Sequence, residues 1–216
     1  MLTFHSAKGG VGCSVVAVAV AASAARRHPT LLVDLAGDLP DLVGVGADGP
    51  GLADWLDAEF VTPGSLARLA RPVTPTLEVL SVGRDLPPAD RTERLELLAR
   101  LLRCWPDQVV VDLGRLTSAA LDGRERLAAL ASRSVIVSRA CYLAISAGRR
   151  LPPADDVVLI KEKGRSYRIP DCAGALSAPV TVQLPWDERV ARAVDSGLLL
   201  SRPPASLRAL DVLVAP

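Results

Sequence analysis

The residues best suited to chemistry lie in one segment near the start of the chain: Phe4-His5-Ser6-Ala7-Lys8-Gly9-Gly10-Val11-Gly12-Cys13-Ser14. Its glycines let the backbone curl around an anion and turn N–H groups inward, and the helix expected next adds positive potential at its N-terminus. An apolar strand, Leu2–Ser6, precedes the segment, and an apolar run, Ser14 to Ala25, follows it. That strand–loop–helix context marks a phosphate-binding loop rather than an ordinary glycine turn. Two further apolar runs, Leu31-Leu32-Val33-Asp34 and Val109-Val110-Val111-Asp112, each end in an aspartate. Strand-end aspartates are common as caps, so residue type alone leaves Asp112 open between a cap and a metal role.

These residues need a scaffold that brings several strand ends to one edge. Strands are expected at Leu2–Ser6, Thr30–Leu35, Thr76–Val82, Gln108–Leu113, Ser134–Ser138, Val157–Lys161 and Val180–Leu184. Several are continuous apolar runs, as parallel strands covered on both faces require. Helices are expected at Cys13–Arg27, Gly51–Ala58, Gly64–Arg71, Ala89–Arg103, Ser118–Ala131, Tyr142–Arg150 and Asp187–Ser196, with loops at Gly44–Gly51 and Leu86–Pro88. This alternation predicts an α/β fold with a doubly wound, mostly parallel sheet and its active crevice at the carboxyl ends of the strands. No repeat or low-complexity tract divides the 216 residues, so residues 1–216 are read as a single domain.

Composition narrows the function. Half the residues are hydrophobic but only 3% are aromatic, so the core must be Val, Leu, Ile and Ala. The formal net charge of +1 advertises neither nucleic-acid nor membrane binding as a global property. Lys8, Lys161 and Lys163 are the only lysines, and there is no Asn. Cys13, Cys104, Cys141 and Cys172 have no metal-ligand spacing, and with no secretory signal they are read as free thiols in the cytoplasm. His5 and His28 are read as a packed strand residue and a surface residue after the first helix. Trp55, Trp105 and Trp186 are read as packing anchors. Leu207, Leu210, Leu213 and Val214 share a helical face, but only Arg202 and Arg208 supply nearby positive charge, so the tail is expected to pack on its own domain or a partner rather than on a membrane.

The loop Lys8-Gly9-Gly10-Val11-Gly12-x-Ser14 resembles the deviant Walker A motif of the ParA/MinD ATPases, including their pilus-associated CpaE/TadZ branch. The resemblance extends to Leu31–Asp34, Val109–Asp112 and Leu184-Pro185-Trp186-Asp187, and more loosely to Gly51–Leu56 and Val190–Gly197. It implies a MinD-like P-loop NTPase fold and a nucleotide-sandwiched homodimer in which Lys8 reaches the partner's phosphates. It also implies a nucleotide site at Lys8, Gly9, Gly10, Val11, Gly12, Cys13, Ser14 and Pro185, with Mg²⁺ at Ser14 and Asp112. Lys8 and Asp34 are the ancestral catalytic positions.

The departures fall inside that site. Cys13 replaces the second loop lysine, which contacts the β- and γ-phosphates in the family, and a thiol supplies no cation. Ala36 replaces the second carboxylate of an Asp-x-Asp pair, and Asp38 comes two residues late. Lys161 replaces an Asn used for base recognition, which leaves the loop after Leu184 as the remaining candidate for base contact. These losses imply a pseudo-ATPase that binds ATP and Mg²⁺ weakly or not at all and acts as a positioning factor for a pilus, secretion or partitioning system. The alternatives are an active ATPase in chromosome or plasmid partitioning or septum placement, with Arg115 supplying the missing charge, and a metabolic P-loop enzyme, for which no acid–base pair is found. A thiol at a helix N-terminus near Lys8 also sits where thiolate is favoured, although a small neutral replacement is the simpler reading of Cys13.

Overall fold

The computed structural model describes residues 1–46, 48–83, 92–117 and 123–214. Eight strands form one sheet: β1 (Leu2–Ser6), β2 (Thr30–Asp34), β3 (Arg71–Thr74), β4 (Leu77–Leu80), β5 (Gln108–Arg115), β6 (Arg133–Arg139), β7 (Asp156–Lys161) and β8 (Val180–Pro185). Their order across the sheet is β3-β4-β2-β5-β1-β6-β7-β8. All neighbours are parallel except β3 and β4. The helices are α1 (Cys13–Ala25), α2 (Leu39–Val43), α3 (Leu52–Asp57), α4 (Pro63–Ala67), α5 (Thr92–Arg103), α6 (Arg124–Leu130), α7 (Tyr142–Gly148), α8 (Ile169–Leu176) and α9 (Glu188–Asp195), followed by a 3-10 helix, Ala205–Leu213. The expected α/β architecture is the observed one.

Alternation along the strands divides the core into two layers. Phe4, Leu32, Val110, Val135, Val158 and Val182 pack with α1 and the C-terminal 3-10 helix. Leu31, Val33, Val109 and Val111 pack against α3 and α5, while Ile136, Val157 and Leu159 pack with residues of α7 and α8. The period of two also places the acids: Asp34 and Asp112 share the parity of Leu32 and Val110, and so the face that carries α1. α1 is apolar around nearly its whole circumference because sheet and tail enclose it.

Three elements escape the sequence reading. β3, with Pro72 inside it and Pro75 after it, reads as a loop, but it is an edge strand, where missing N–H donors are tolerated. α2 and α8 carry Pro in their first turns and lie in stretches without a clear apolar period. α5 begins at Thr92 and α6 at Arg124 in the described chain; the expected Leu86–Pro88 loop and the starts of the helices expected from Ala89 and Ser118 lie outside the described residues.

The tail packs on its own domain, as expected. Leu207, Leu210, Leu213 and Val214 are buried in the α1 layer. Asp211 accepts hydrogen bonds from Ser23 at 2.6 Å and Arg26 at 3.1 Å, and the Leu213 carbonyl accepts from Arg133 at 3.4 Å. No helix among the described residues is long and apolar enough to cross a membrane. Leu210 is fully buried, so Leu210→Ala is expected to lower unfolding free energy by about 2–5 kcal/mol, measured by urea titration. A loss under about 0.5 kcal/mol, the size typical of a surface substitution, would show that the tail is not part of the core.

Candidate functional site

The phosphate loop folds as its glycines allow. Gly10 and Gly12 have φ of 71° and 95°, in the left-handed region that side chains disfavour, and Gly12 caps α1. A Cβ at Gly12 would also lie 3.4 Å from the Ile160 side chain, so the loop sits close against the end of β7. Gly9 through Ser14 line a cavity of about 770 Å³ that continues past Ala36, Asp38, Leu42, Arg115, Arg139 and Pro185 to Val190, Val194 and Leu207. The loop, Pro185 and Ser14 therefore meet in one space. Lys8, half-buried on the loop, lies outside the cavity lining.

Beneath the loop, the Cys13 thiol donates to Asp112 Oδ1 at 3.5 Å. The Gly114 N–H donates to the same oxygen at 2.9 Å, while Asp112 Oδ2 is buried without a hydrogen-bond partner. Burial raises the Asp112 carboxyl above its ordinary range, against the lowering effect of Ser14, Gly114 and Cys13. Cys13 is pushed well above the normal thiol range, first by burial and then by Asp112. The thiolate idea is thereby overturned. Burial and a facing carboxylate outweigh the helix N-terminus, and Cys13 is a neutral donor.

The aspartates after β2 divide their work differently from the sequence reading. Asp34, an ancestral catalytic candidate, is fully buried and stays outside the cavity lining. Its carboxylate accepts from the N–H groups of Ala36 at 2.9 Å, Gly37 at 2.7 Å and Leu39 at 3.3 Å, which anchors the turn into α2. That turn delivers Asp38 to the cavity, where Asp38 Oδ2 accepts from Ser14 Oγ at 3.4 Å. Numerical spacing from Asp34 gave no sign of this, because the backbone bends between the two, with Gly37 at φ 98°. Ala36 packs so near Gly114 that a Cβ on the glycine would approach it to 2.8 Å.

Two arginines that sequence reasoning passed over organise the rim. Arg124 donates to the carbonyls of Leu113 at 2.8 Å, Leu35 at 3.2 Å and Arg115 at 3.1 Å, tying the ends of β2 and β5 together. Arg139 donates to Gly10 O at 2.8 Å and Glu162 at 2.9 Å and lies over the Trp186 ring. Trp186 is thus no packing anchor: it is 50% exposed in the cavity wall, whereas Trp55 is buried and donates to Ser65. Lys161, at the expected base-contact position, is exposed, and its carbonyl accepts from the Trp186 N–H at 2.7 Å. His5 is buried in β1, and burial lowers its pKa to about 4, so it is neutral near pH 7.

Among the described residues no group of three or more His, Cys, Asp and Glu is arranged to hold a metal. Mg²⁺ needs no such cage, because it keeps several waters and takes one or two protein oxygens beside phosphate. Ser14 Oγ and the unpartnered Asp112 Oδ2 fit that requirement.

Asp34 gives the turn a pH signature. Burial raises its pKa to about 6, against the lowering effect of the Gly37 and Ala36 amides. The folded state therefore holds the proton more tightly than the unfolded chain, and Asp34's contribution to stability declines as pH rises from the ordinary carboxylate range through about 6. Asp34→Asn, neutral throughout, is expected to remove that decline. Urea titrations of both proteins between pH 4 and 7 check it, and parallel stability profiles would refute it.

No protein-family model matches the chain, and no curated protein matches it. Solved structures do. The chain superimposes on a ParA family ATPase from Chlorobium tepidum TLS with TM-score 0.75 at 19% identity, covering 98% of this chain and 96% of that one. The MinC:MinD cell division protein complex of Aquifex aeolicus gives TM-score 0.72 at 16% identity, covering 97% and 92%. The septum site-determining protein MinD of Pyrococcus horikoshii OT3, complexed with Mg-ADP, gives 0.69 at 16%, covering 99% and 93%. The fold of this chain is the P-loop fold of the ParA and MinD ATPases.

Proposed function

We propose that this chain, as a single ParA/MinD-like domain, is a nucleotide-binding positioning factor that recruits a protein partner and hydrolyses ATP negligibly. One observation carries the reading. At the position where the family's loop lysine belongs, Cys13 presents a neutral thiol that is spent on Asp112. The phosphate loop keeps its glycine geometry and Ser14, so its amides still suit a phosphate, while its own cation is gone. Mg²⁺, when bound, would neutralise phosphate charge; Ser14 would hold it, and Asp112 would orient its water. Lys8, outside its own cavity, suits the role of reaching a partner's site in a homodimer. By resemblance the process served is pilus or secretion-system placement of the CpaE/TadZ kind. The structural neighbours, a ParA family ATPase and MinD, support positioning as the broader role. An active partitioning ATPase is the second reading, favoured by Arg115, which lines the cavity and could supply the missing cation.

The two losses strike different parts of one displacement. Cys13 removes electrostatic stabilisation of the transferred phosphoryl group, and Ala36 removes a carboxylate expected near the attacking water. Cys13→Lys is expected to tighten Mg-ATP binding about 10–100-fold, the worth of a charge-assisted hydrogen bond, yet leave hydrolysis poor. Adding Ala36→Asp gives the better chance of turnover. Calorimetry and a phosphate-release assay check both. Robust Mg-dependent release by the wild type, abolished in Asp112→Ala, would refute the reading and favour the working ATPase.

Lys8→Ala is expected to weaken self-association. Light scattering across a concentration series, with and without Mg-ATP, measures it. Strictly monomeric mass for both proteins under every condition would rule out the dimer.

A further inference from the structure

Arg139 makes three contacts inside the cavity with one guanidinium. Nη2 donates to the Gly10 carbonyl of the phosphate loop at 2.8 Å, and Nη1 donates to Glu162 Oε1 at 2.9 Å. The guanidinium carbon Cζ lies over the Trp186 ring, 4.6 Å from its centre. A cation is held on the indole face by the ring quadrupole, and a nucleobase stacks on that same face through its own π-surface, so the two compete for one place. Arg139 therefore sits on the one aromatic ring that lines the cavity among the described residues, and bridges it to the rim of the phosphate loop. A ligand with a flat ring and a phosphate needs both places.

The contact is also inexpensive to undo. Glu162 keeps a second guanidinium, because Arg165 Nε donates to its other oxygen at 2.7 Å and Arg165 Nη2 donates there as well. Gly10 is exposed, so water can replace Arg139 at its carbonyl. Arg139 Nε is buried with no hydrogen-bond partner, a deficit that moving the side chain into solvent would repair.

We propose that Arg139 is an internal plug: it occupies the Trp186 face and the phosphate-loop rim, and a nucleotide must displace it to bind. This rests on the reading of the cavity as a nucleotide site. The plug sets the affinity of that site apart from any effect of Cys13, since it competes for the ring and the loop rim rather than for phosphate charge.

The sign of one substitution separates a plug from a residue that merely holds the loop in shape. Arg139→Ala is expected to bind Mg-ATP about tenfold more tightly than wild type by calorimetry, equivalent to ~1.4 kcal/mol. Arg139→Lys, which keeps the charge but loses the flat face, should tighten binding less, and it serves as the test if the alanine variant folds poorly. Nucleotide should change the Trp186 emission of the wild type more than that of Arg139→Ala, with Trp186→Leu identifying the signal. Equal or weaker binding by both Arg139 variants, with the wild type binding, would overturn the plug and leave the nucleotide reading standing. Failure of all three proteins to bind Mg-ATP would overturn both.

Discussion

A carboxylate inside a buried strand has to be held by something, and in this protein Asp112 is held without a cation. One backbone N–H and one thiol share a single oxygen, and the other oxygen is left without a partner. Burial of a charge so poorly compensated favours the protonated acid, the direction in which Asp112 is shifted. The surroundings follow from this. Cys13 stays neutral because it is buried and then because it faces Asp112, and Asp34 rises through burial and, to a lesser degree, through Asp112 nearby.

The rigidity of the site comes from arginines and a turn rather than from the loop itself. Arg124 binds three carbonyls at the ends of β2 and β5, and the Asp34 carboxylate collects three amides of the turn that follows β2. These bonds satisfy backbone groups that the sheet leaves unpaired where its strands stop. The phosphate loop stands on that platform, with α1 locked behind it between sheet and tail.

Much of this was legible in the chain because it depends on local pattern. Continuous apolar runs predicted the parallel strands, and their alternation carried through to the two layers of the core. The glycine spacing from Lys8 to Ser14, between a strand and an apolar helix, predicted the phosphate loop, and the tail's four apolar positions predicted its packing. Less regular segments were misread for identifiable reasons. The prolines of β3 hid an edge strand, and α2 and α8 were too short to show a period.

The sequence by itself determined the fold class and the glycine loop, since each follows from residue type and near-neighbour spacing. Only the tertiary structure decided what the remaining side chains do. Asp34 became a turn anchor and Asp38 a cavity residue because the chain bends between them, through a glycine with positive φ. Cys13 became a protonated donor because β5, 99 residues away, sets a carboxylate against it. Arg139 and Trp186 met because β6 and β8 end on the same edge of the sheet, with β7 between them. Charge and hydrogen bonding act over a few ångströms in space, and no spacing along the chain reports which distant residues will share those ångströms.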